Sequence, residues 1–177
     1  MKRLSIVAVL VLAACTTTPT PRPTSQLTQT PPAFASVTVS GVGTIPRGGS
    51  SAPTLTLSFN EASVAAIGRA PGSFQVTLSD QTGSASTVSF VGTPSTAKSP
   101  GSLGASATTY GSVLAVRILD SDQVNSEPII VTGIGISVSS TAALGPIKAT
   151  MSGFTGSLAG GAANEVLASP GSVVSSP

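Results

Sequence analysis

The sequence predicts an all-β protein, a jelly-roll or Ig-like β-sandwich of about eight to nine strands. Of its 177 residues, 40% are hydrophobic but only 3% are aromatic and 8% charged. Ser and Thr are abundant between the apolar residues, and Ser, Thr, Val and Gly in alternation suit pleated strands and tight turns better than helices. Short apolar runs recur with a period of two, and Gly/Pro turn signals separate them. The high hydrophobicity also argues against a disordered chain.

The first fourteen residues have the three-part pattern of a bacterial export signal. Lys2 and Arg3 form a short positive region, residues 4–12 are apolar, and Ala13 and Ala14 are the small residues that a signal peptidase requires. The apolar stretch is much shorter than the roughly 20 residues that span a bilayer. We therefore assign residues 1–14 to a signal peptide.

Cys15 is the single cysteine of the chain and follows this segment directly. The run Leu12-Ala13-Ala14-Cys15 resembles a lipobox, the recognition motif of bacterial lipoprotein signal peptides. The resemblance implies that the Cys15 thiol receives a diacylglycerol, that cleavage occurs before it, and that the new N-terminus is acylated, with palmitate as a typical acyl chain. The alternatives are an ordinary secretory signal and a cysteine that packs as a small hydrophobe.

Several acyl chains on one residue make a stable anchor, because each buried methylene contributes about 0.8 kcal/mol. We therefore expect an exported protein that is lipid-anchored in the cell membrane or outer membrane and faces the periplasm or exterior. In that case Cys15 is a tether rather than a catalyst or half of a disulfide.

Residues 16–33 contain seven Thr and five Pro in eighteen positions. Proline favours polyproline II, so this stretch is predicted to be a semi-rigid spacer that reaches up to roughly 55 Å. Glycosylation and use as a proline-motif ligand are the alternatives. The predicted organisation is a signal peptide at 1–14, the lipidated Cys15 and spacer at 15–33, and one folded domain at 34–177.

The charge distribution argues against nucleic acid as a partner. The formal net charge is +2, but Lys2 and Arg3 belong to the signal segment, and without them basic and acidic residues balance. The other basic residues are scattered and form no stripe that could follow phosphates.

Apolar residues alternate with Ser and Thr from position 35 onward, as in strands with one wet face. Predicted strands include residues 37–39, 55–59, 74–78, 88–91, 113–119, 129–138 and 147–151, and turn clusters lie at 46–49, 70–72, 81–83 and 92–94. The stretch 60–67 breaks the period. Asn60 as N-cap, Val64 and Ile67 on one side, and Gly68 as a stop indicate a short helix there.

Two segments resemble cohesins in their motifs. Residues 55–74, LTLSFNEASVAAIGRAPGSF, are similar to the cohesin region in which a strand ends in an aromatic and Asp or Asn, followed by "SV" and a Pro-Gly turn. Residues 129–153 are similar to the cohesin pattern of a strand, a small-residue turn and a returning strand, and residues 170–174 fit the closing strand. The resemblance implies a nine-stranded jelly roll, related to carbohydrate-binding sandwiches, and protein recognition. No binding residue of the family is carried over to this chain.

The composition gives little support to catalysis. The chain has no histidine, which excludes Ser-His-Asp, Cys-His and His-metal sites. Acid/base chemistry would need two carboxylates across a cleft, and we interpret the six acidic residues as solubilising charges. They are Glu61, Asp80, Asp120, Asp122, Glu127 and Glu165.

The best polar cluster in the sequence is residues 120–127, DSDQVNSE. Asp120, Asp122, Asn125 and Glu127 place oxygen ligands at near-alternate positions, as calcium requires. EF-hand spacing is absent, however, and these residue types are equally common in turns. We favour a solvated loop without a cofactor and retain calcium as the alternative.

Sugar binding by stacking has weak support, since the chain lacks Trp and has one Tyr, Tyr110. Phe59, Phe74 and Phe90 occupy inward strand positions. Taken together, these features predict a lipid-anchored, non-catalytic interaction module of the bacterial cell envelope that binds a protein partner. The alternatives are a carbohydrate-binding module and a structural envelope component.

Overall fold

The structure is a computed structural model that describes residues 34–62, 67, 71–97, 104–120, 126, 128–156, 158 and 165–176. The signal peptide, Cys15 and the spacer lie outside the described residues. The strands are β1 (Phe34–Ser40), β2 (Thr44–Pro46), β3 (Leu55–Glu61), β4 (Gly72–Ser79), β5 (Val88–Ala97), β6 (Gly104–Tyr110), β7 (Val113–Asp120), β8 (Pro128–Val138), β9 (Gly145–Pro146), β10 (Lys148–Gly156), β11 (Glu165–Val166) and β12 (Ser172–Val174). A 3-10 turn, Ala85–Thr87, precedes β5.

Two large sheets form the body of the domain. One has four strands in the order β1-β3-β8-β5, and the other has five in the order β11-β10-β4-β7-β6. The chain passes from one sheet to the other between β3 and β4, β4 and β5, β5 and β6, and β7 and β8, and it returns from β8 to β10 by way of β9. The predicted β-sandwich is therefore confirmed, with connections of the jelly-roll kind.

The two sheets bury their facing sides against each other. In β3 and β4 every second residue is buried, so the period of two in the sequence is the period of burial. Phe59 of β3 meets Phe74 of β4 with ring centroids 4.7 Å apart in an edge-to-face arrangement, and Phe34 of β1 lies 5.2 Å from Phe74. Both Phe59 and Phe74 are fully buried. This aromatic cluster joins the sheets at the centre of the core.

A small third sheet closes one end of the sandwich, with the order β2-β12-β9. β12 lies in the middle, parallel to β2 and antiparallel to β9. Further backbone bonds hold this end, including Val42 N to the Pro170 carbonyl at 2.7 Å and Arg47 N to the Val174 carbonyl at 3.0 Å. The predicted closing strand near 170–174 is thus present as β12.

Twelve strands in the described residues exceed the predicted number of eight to nine. The extra strands β2, β9 and β11 have two or three residues each, too few to show a period in the sequence. β6 also escaped prediction, because its sequence GASATTY contains no large apolar residue except the terminal Tyr110.

The predicted helix at 60–67 does not start where expected. Asn60, expected as its N-cap, belongs to β3, where it pairs with Ser36 of β1 and Pro128 of β8. Residues 63–66 lie outside the described residues. The sequence signal failed because Asn60 occupies an outward strand position, and Asn in that position has the same local pattern as an N-cap.

The predicted turn at 92–94 is wrong, since β5 continues to Ala97. The register with β8 shifts between Gly92 and Ser95. Gly92 has a φ of 91° and faces Gly133, so that a Cβ atom would approach the Gly133 carbonyl oxygen to 2.5 Å. The Gly and Pro signals at this site mark a bulge in an edge strand.

No helix in the described part of the chain is long and apolar enough to cross a membrane.

Candidate binding face

The outward side of the five-stranded sheet is a broad polar surface, called here the outer five-strand face. Cross-strand register places its side chains in rows that run over β6, β7, β4 and β10. One row is Thr108, Ala115, Gln75 and Ser152, and the next is Ser106, Arg117, Ser73 and Thr155. Each row spans about 14 Å, because neighbouring strands lie about 4.8 Å apart. The side chains around Arg117 are small or carry hydroxyl groups, so they project only a short distance from the sheet.

Arg117 borders a concavity of about 220 Å³ at one end of this face. The other lining residues are Pro71, Gly72, Ser73 and Thr155, and this set is called the Arg117 concavity. The Ser73 and Thr155 hydroxyls lie 2.7 Å apart and share a hydrogen bond. The concavity therefore combines a guanidinium with a pair of hydroxyl groups.

The two cations of this face have no partners within it. Arg117 and Lys148 are exposed, and no hydrogen bond or ion pair joins either side chain to another described residue. Lys148 pairs in register with Ser79, at the end of β4 opposite to Ser73. No described acidic side chain occupies an outward position in β6, β7, β4 or β10. The face is positively charged within the described residues.

The outward side of the four-stranded sheet differs in charge and in bonding, and is called the outer four-strand face. None of its described side chains in β1, β3, β8 and β5 carries a charge. Asn60 Nδ2 donates to Ser36 Oγ at 3.0 Å, and Ser58 Oγ lies 3.5 Å from Asn60 Oδ1. Part of the polar capacity of this face is therefore used internally.

Asp80 is a buried acidic residue with extensive hydrogen bonding. It is 2% exposed and lies between β4 and the 3-10 turn. Its oxygens accept from the backbone N–H groups of Thr82 at 2.9 Å, Ser84 at 3.0 Å and Ala143 at 3.1 Å. The hydroxyls of Thr82 and Thr87 donate at 2.6 and 2.8 Å. These residues are called the Asp80 cluster.

The bonding in this cluster sets the protonation of Asp80. The Thr82 hydroxyl has the largest effect, and with the Ala143, Thr87 and Ser84 donors it holds the pKa of Asp80 well below its ordinary range, against the opposing effect of burial. A carboxylate whose lone pairs face five donors cannot also serve as a base or a metal ligand. Asp80 therefore stabilises the fold, and its interpretation as a solubilising charge is wrong.

Arg47 binds the other end of one of the peptide units that donate to Asp80. Its Nε donates to the Ala142 carbonyl at 2.6 Å, while the N–H of the same peptide unit, that of Ala143, donates to Asp80 Oδ2. Each peptide unit carries a dipole of about 3.5 D. Its negative end faces Arg47 and its positive end faces Asp80, so the two charges hold the loop before β9 through one peptide group.

Among the described residues, the other acidic side chains do not assemble into a site. Glu61 is 6% exposed, and its Oε1 accepts from Ile67 N at 2.7 Å, so this residue too is structural rather than solubilising. Glu165 is exposed on the edge strand β11. In the described part of the chain, no group of three or more His, Cys, Asp or Glu residues could hold a metal ion.

The proposed calcium ligands remain untested. Asp122, Asn125 and Glu127 lie outside the described residues, and Asp120 is described only by its backbone at the end of β7. The lipidation residue Cys15 lies outside as well.

The inward positions predicted for three phenylalanines are confirmed, and the single tyrosine of the chain is exposed. Phe59, Phe74 and Phe90 are buried, whereas Tyr110 is 67% exposed at the end of β6 on the outer five-strand face. A stacking platform with several rings is not present in the described residues.

Comparisons with known proteins give one structural similarity. No protein family model matches the sequence, and no curated protein matches it. The structure is similar to a crystal structure of the sixth cohesin of scaffoldin B from Acetivibrio cellulolyticus, determined in complex with a mutated Cel5 dockerin. The TM-score is 0.39 with 17% sequence identity, and the match covers 79% of this chain and 99% of the cohesin. A similarity of this extent carries no inference about function. The β-sandwich assignment rests on the strand pairing of this chain itself.

Proposed function

We propose that this chain is a non-catalytic interaction module of the bacterial cell envelope, lipid-anchored at Cys15, that binds a protein partner through the outer five-strand face. The observation that carries the binding part is the presence of two exposed cations without partners on this face, one of them beside a concavity. The opposite face has no described charge. A charged group that a fold leaves unpaired and exposed is available for a partner.

The anchoring part is supported by the sequence. A positive start, an apolar stretch and Leu12-Ala13-Ala14-Cys15 occur in the order that a lipoprotein signal requires. Residues 16–33 then provide a spacer of up to roughly 55 Å, which would carry the folded domain away from the membrane. A binding module needs such a distance to reach a partner that is not in the same membrane.

Lipidation is tested by growing the producing bacterium with labelled palmitate. We expect the wild-type chain to incorporate the label and the Cys15→Ser variant to lose it together with membrane association. Label that persists in Cys15→Ser would contradict the anchor.

The binding face is tested by affinity capture from envelope extract with the full chain, followed by titration of the isolated partner. Gln75→Trp places a large ring at the centre of the outer five-strand face, and Ser58→Trp is the matched control on the outer four-strand face. We expect saturable binding that Gln75→Trp abolishes and Ser58→Trp retains. The opposite pattern would move the site to the other face.

Carbohydrate binding is the second candidate, and the exposed ring of Tyr110 is the observation in its favour. Aromatic faces pack against sugar C–H groups, but one ring at the end of a strand offers only one subsite. Retention on a polysaccharide panel that Tyr110→Ala removes would support this candidate against a protein partner.

A further inference from the structure

We propose that the partner is acidic, with a protein carboxylate side chain seated in the Arg117 concavity and a second acidic group near Lys148. This inference rests on the proposed function, since it specifies the chemistry of a partner that binds the outer five-strand face. It follows from three properties of the described surface: the shape of the concavity, its hydrogen-bonding capacity, and the distance between the two cations.

The concavity has the size of a side chain rather than of a whole small molecule. Its volume is about 220 Å³, below the range of roughly 300 to 1,000 Å³ typical of pockets that bury a drug-sized ligand. An Asp or Glu side chain that projects from a larger surface would fit in such a space. The occupant is therefore expected to be one group of a macromolecule.

The polar groups of the concavity match a carboxylate. The guanidinium of Arg117 is a planar fork that can donate two parallel N–H bonds to the two oxygens of one carboxylate. Ser73 and Thr155 share one hydrogen bond at 2.7 Å. Whichever hydroxyl donates, the hydrogen of the accepting hydroxyl stays available for a ligand oxygen. Among the described residues, the site thus offers donors and a positive charge and no negative charge.

Lys148 is the second cation of this face, and its distance from Arg117 sets how far an acidic partner must extend along the sheet. Lys148 pairs with Ser79, and Ser73 lies six residues away on the same strand, which corresponds to about 20 Å. A ligand that meets both cations must span this distance across a neutral Ser/Thr surface. A protein surface or an extended acidic segment can do so, whereas a single small anion cannot.

The test uses the full chain in detergent micelles and a display library of random peptides as the probe. We expect the enriched peptides to contain Asp or Glu, and their affinity to fall at least about tenfold for Arg117→Gln. Arg117→Lys keeps the charge but loses the fork, so it should restore only part of the affinity. Lys148→Gln should weaken long acidic peptides more than short ones.

Thr38→Glu is the matched control for charge. It changes the net charge by the same amount as Arg117→Gln but lies on the outer four-strand face, so it should leave peptide binding unchanged. Enriched peptides without acidic residues, no enrichment at all, or equal binding by Arg117→Gln and wild type would each overturn the proposal. Polygalacturonate that binds at Arg117 and displaces the peptides would assign the carboxylate to a glycan and overturn it as well.

The failure of this inference can be separated from the failure of the proposed function. If the captured partner is lost with Gln75→Trp but is insensitive to Arg117→Gln, the face is correct and the acidic chemistry is wrong. If neither variant affects capture, the face itself is wrong.

Discussion

The Asp80 cluster and the Arg117 concavity show two opposite uses of a charged residue in one domain. Asp80 is buried and accepts five hydrogen bonds, whereas Arg117 is exposed and bonds to no other described residue. Burial of an unpaired charge would cost several kcal/mol, so the partners of Asp80 are a condition of folding. Exposure of Arg117 costs little and leaves its donors for a ligand. The buried, bonded charge of Asp80 therefore serves stability, and the exposed charge of Arg117 is available for binding.

Of the variants that test this difference, Asp80→Ala should have the largest effect on stability. The change removes the acceptor of the Thr82, Ser84 and Ala143 donors and leaves the Thr87 hydroxyl only the Ser84 carbonyl. We expect the free energy of unfolding to fall by about 4 kcal/mol. Urea denaturation followed by circular dichroism measures the loss. Glu165→Ala, which removes an exposed carboxylate, should change the stability by less than about 0.5 kcal/mol.

The sequence could not distinguish these two acidic residues. Asp80 precedes the turn Gln81-Thr82-Gly83, and Asp is common before turns, so its pattern resembles that of a solvated residue. Its burial depends on the Ala143 N–H, which arrives from 63 residues further along the chain. In contrast, the alternation in β3 and β4 was readable because burial of one strand face depends on local periodicity.

The second prediction compares glycines in the two regions. Gly145, near the Asp80 cluster, has a φ of 122°, a backbone conformation that is essentially limited to glycine, whereas the atom nearest to a Cβ there, Oε1 of Gln81, belongs to an exposed side chain that can move away. Gly153, on the outer five-strand face, has a φ of 69° with its nearest contact at 3.7 Å. We expect Gly145→Ala to destabilise the domain by about 3 kcal/mol and Gly153→Ala by about 1 kcal/mol. Thermal unfolding of both variants checks the difference, and equal losses would contradict it.

The third prediction concerns the loss of stability at acidic pH. Because the pKa of Asp80 is lowered in the folded state, its contribution is complete above the unfolded pKa of about 3.9 and is lost as the pH falls toward the folded value. We expect about 1 kcal/mol of this contribution to be lost by pH 3. Asp80→Asn should reduce the slope of stability against pH between about pH 4 and pH 3. An unchanged slope would mean that the carboxylate titrates normally in the folded protein.

The smallest expected effect on stability is that of Arg117→Gln. No described residue depends on the guanidinium, so the free energy of unfolding should remain within about 0.5 kcal/mol of wild type. Partner affinity should fall at least about tenfold and depend less on salt, because the variant loses both the guanidinium fork and one positive charge. A large loss of stability would assign Arg117 to the fold instead of to binding.

The surroundings of Arg117 could not be predicted from the sequence. The alternation in β7 assigns Arg117 to an outward position, but its neighbours Ser73 and Thr155 come from two other strands. Ser73 and Arg117 are brought together by the β4–β7 register, which the sequence does not specify. The concavity was therefore visible only in the structure.

The most direct test of the central claim, that the partner binds the outer five-strand face, is hydroxyl-radical footprinting of the chain with and without its captured partner. Tyr110 and Leu119 are exposed on this face, whereas Ile130 lies in an outward position on the outer four-strand face. We expect the partner to protect Tyr110 and Leu119 from oxidation and to leave Ile130 unchanged. Protection of Ile130 without protection of Tyr110 and Leu119 would contradict it.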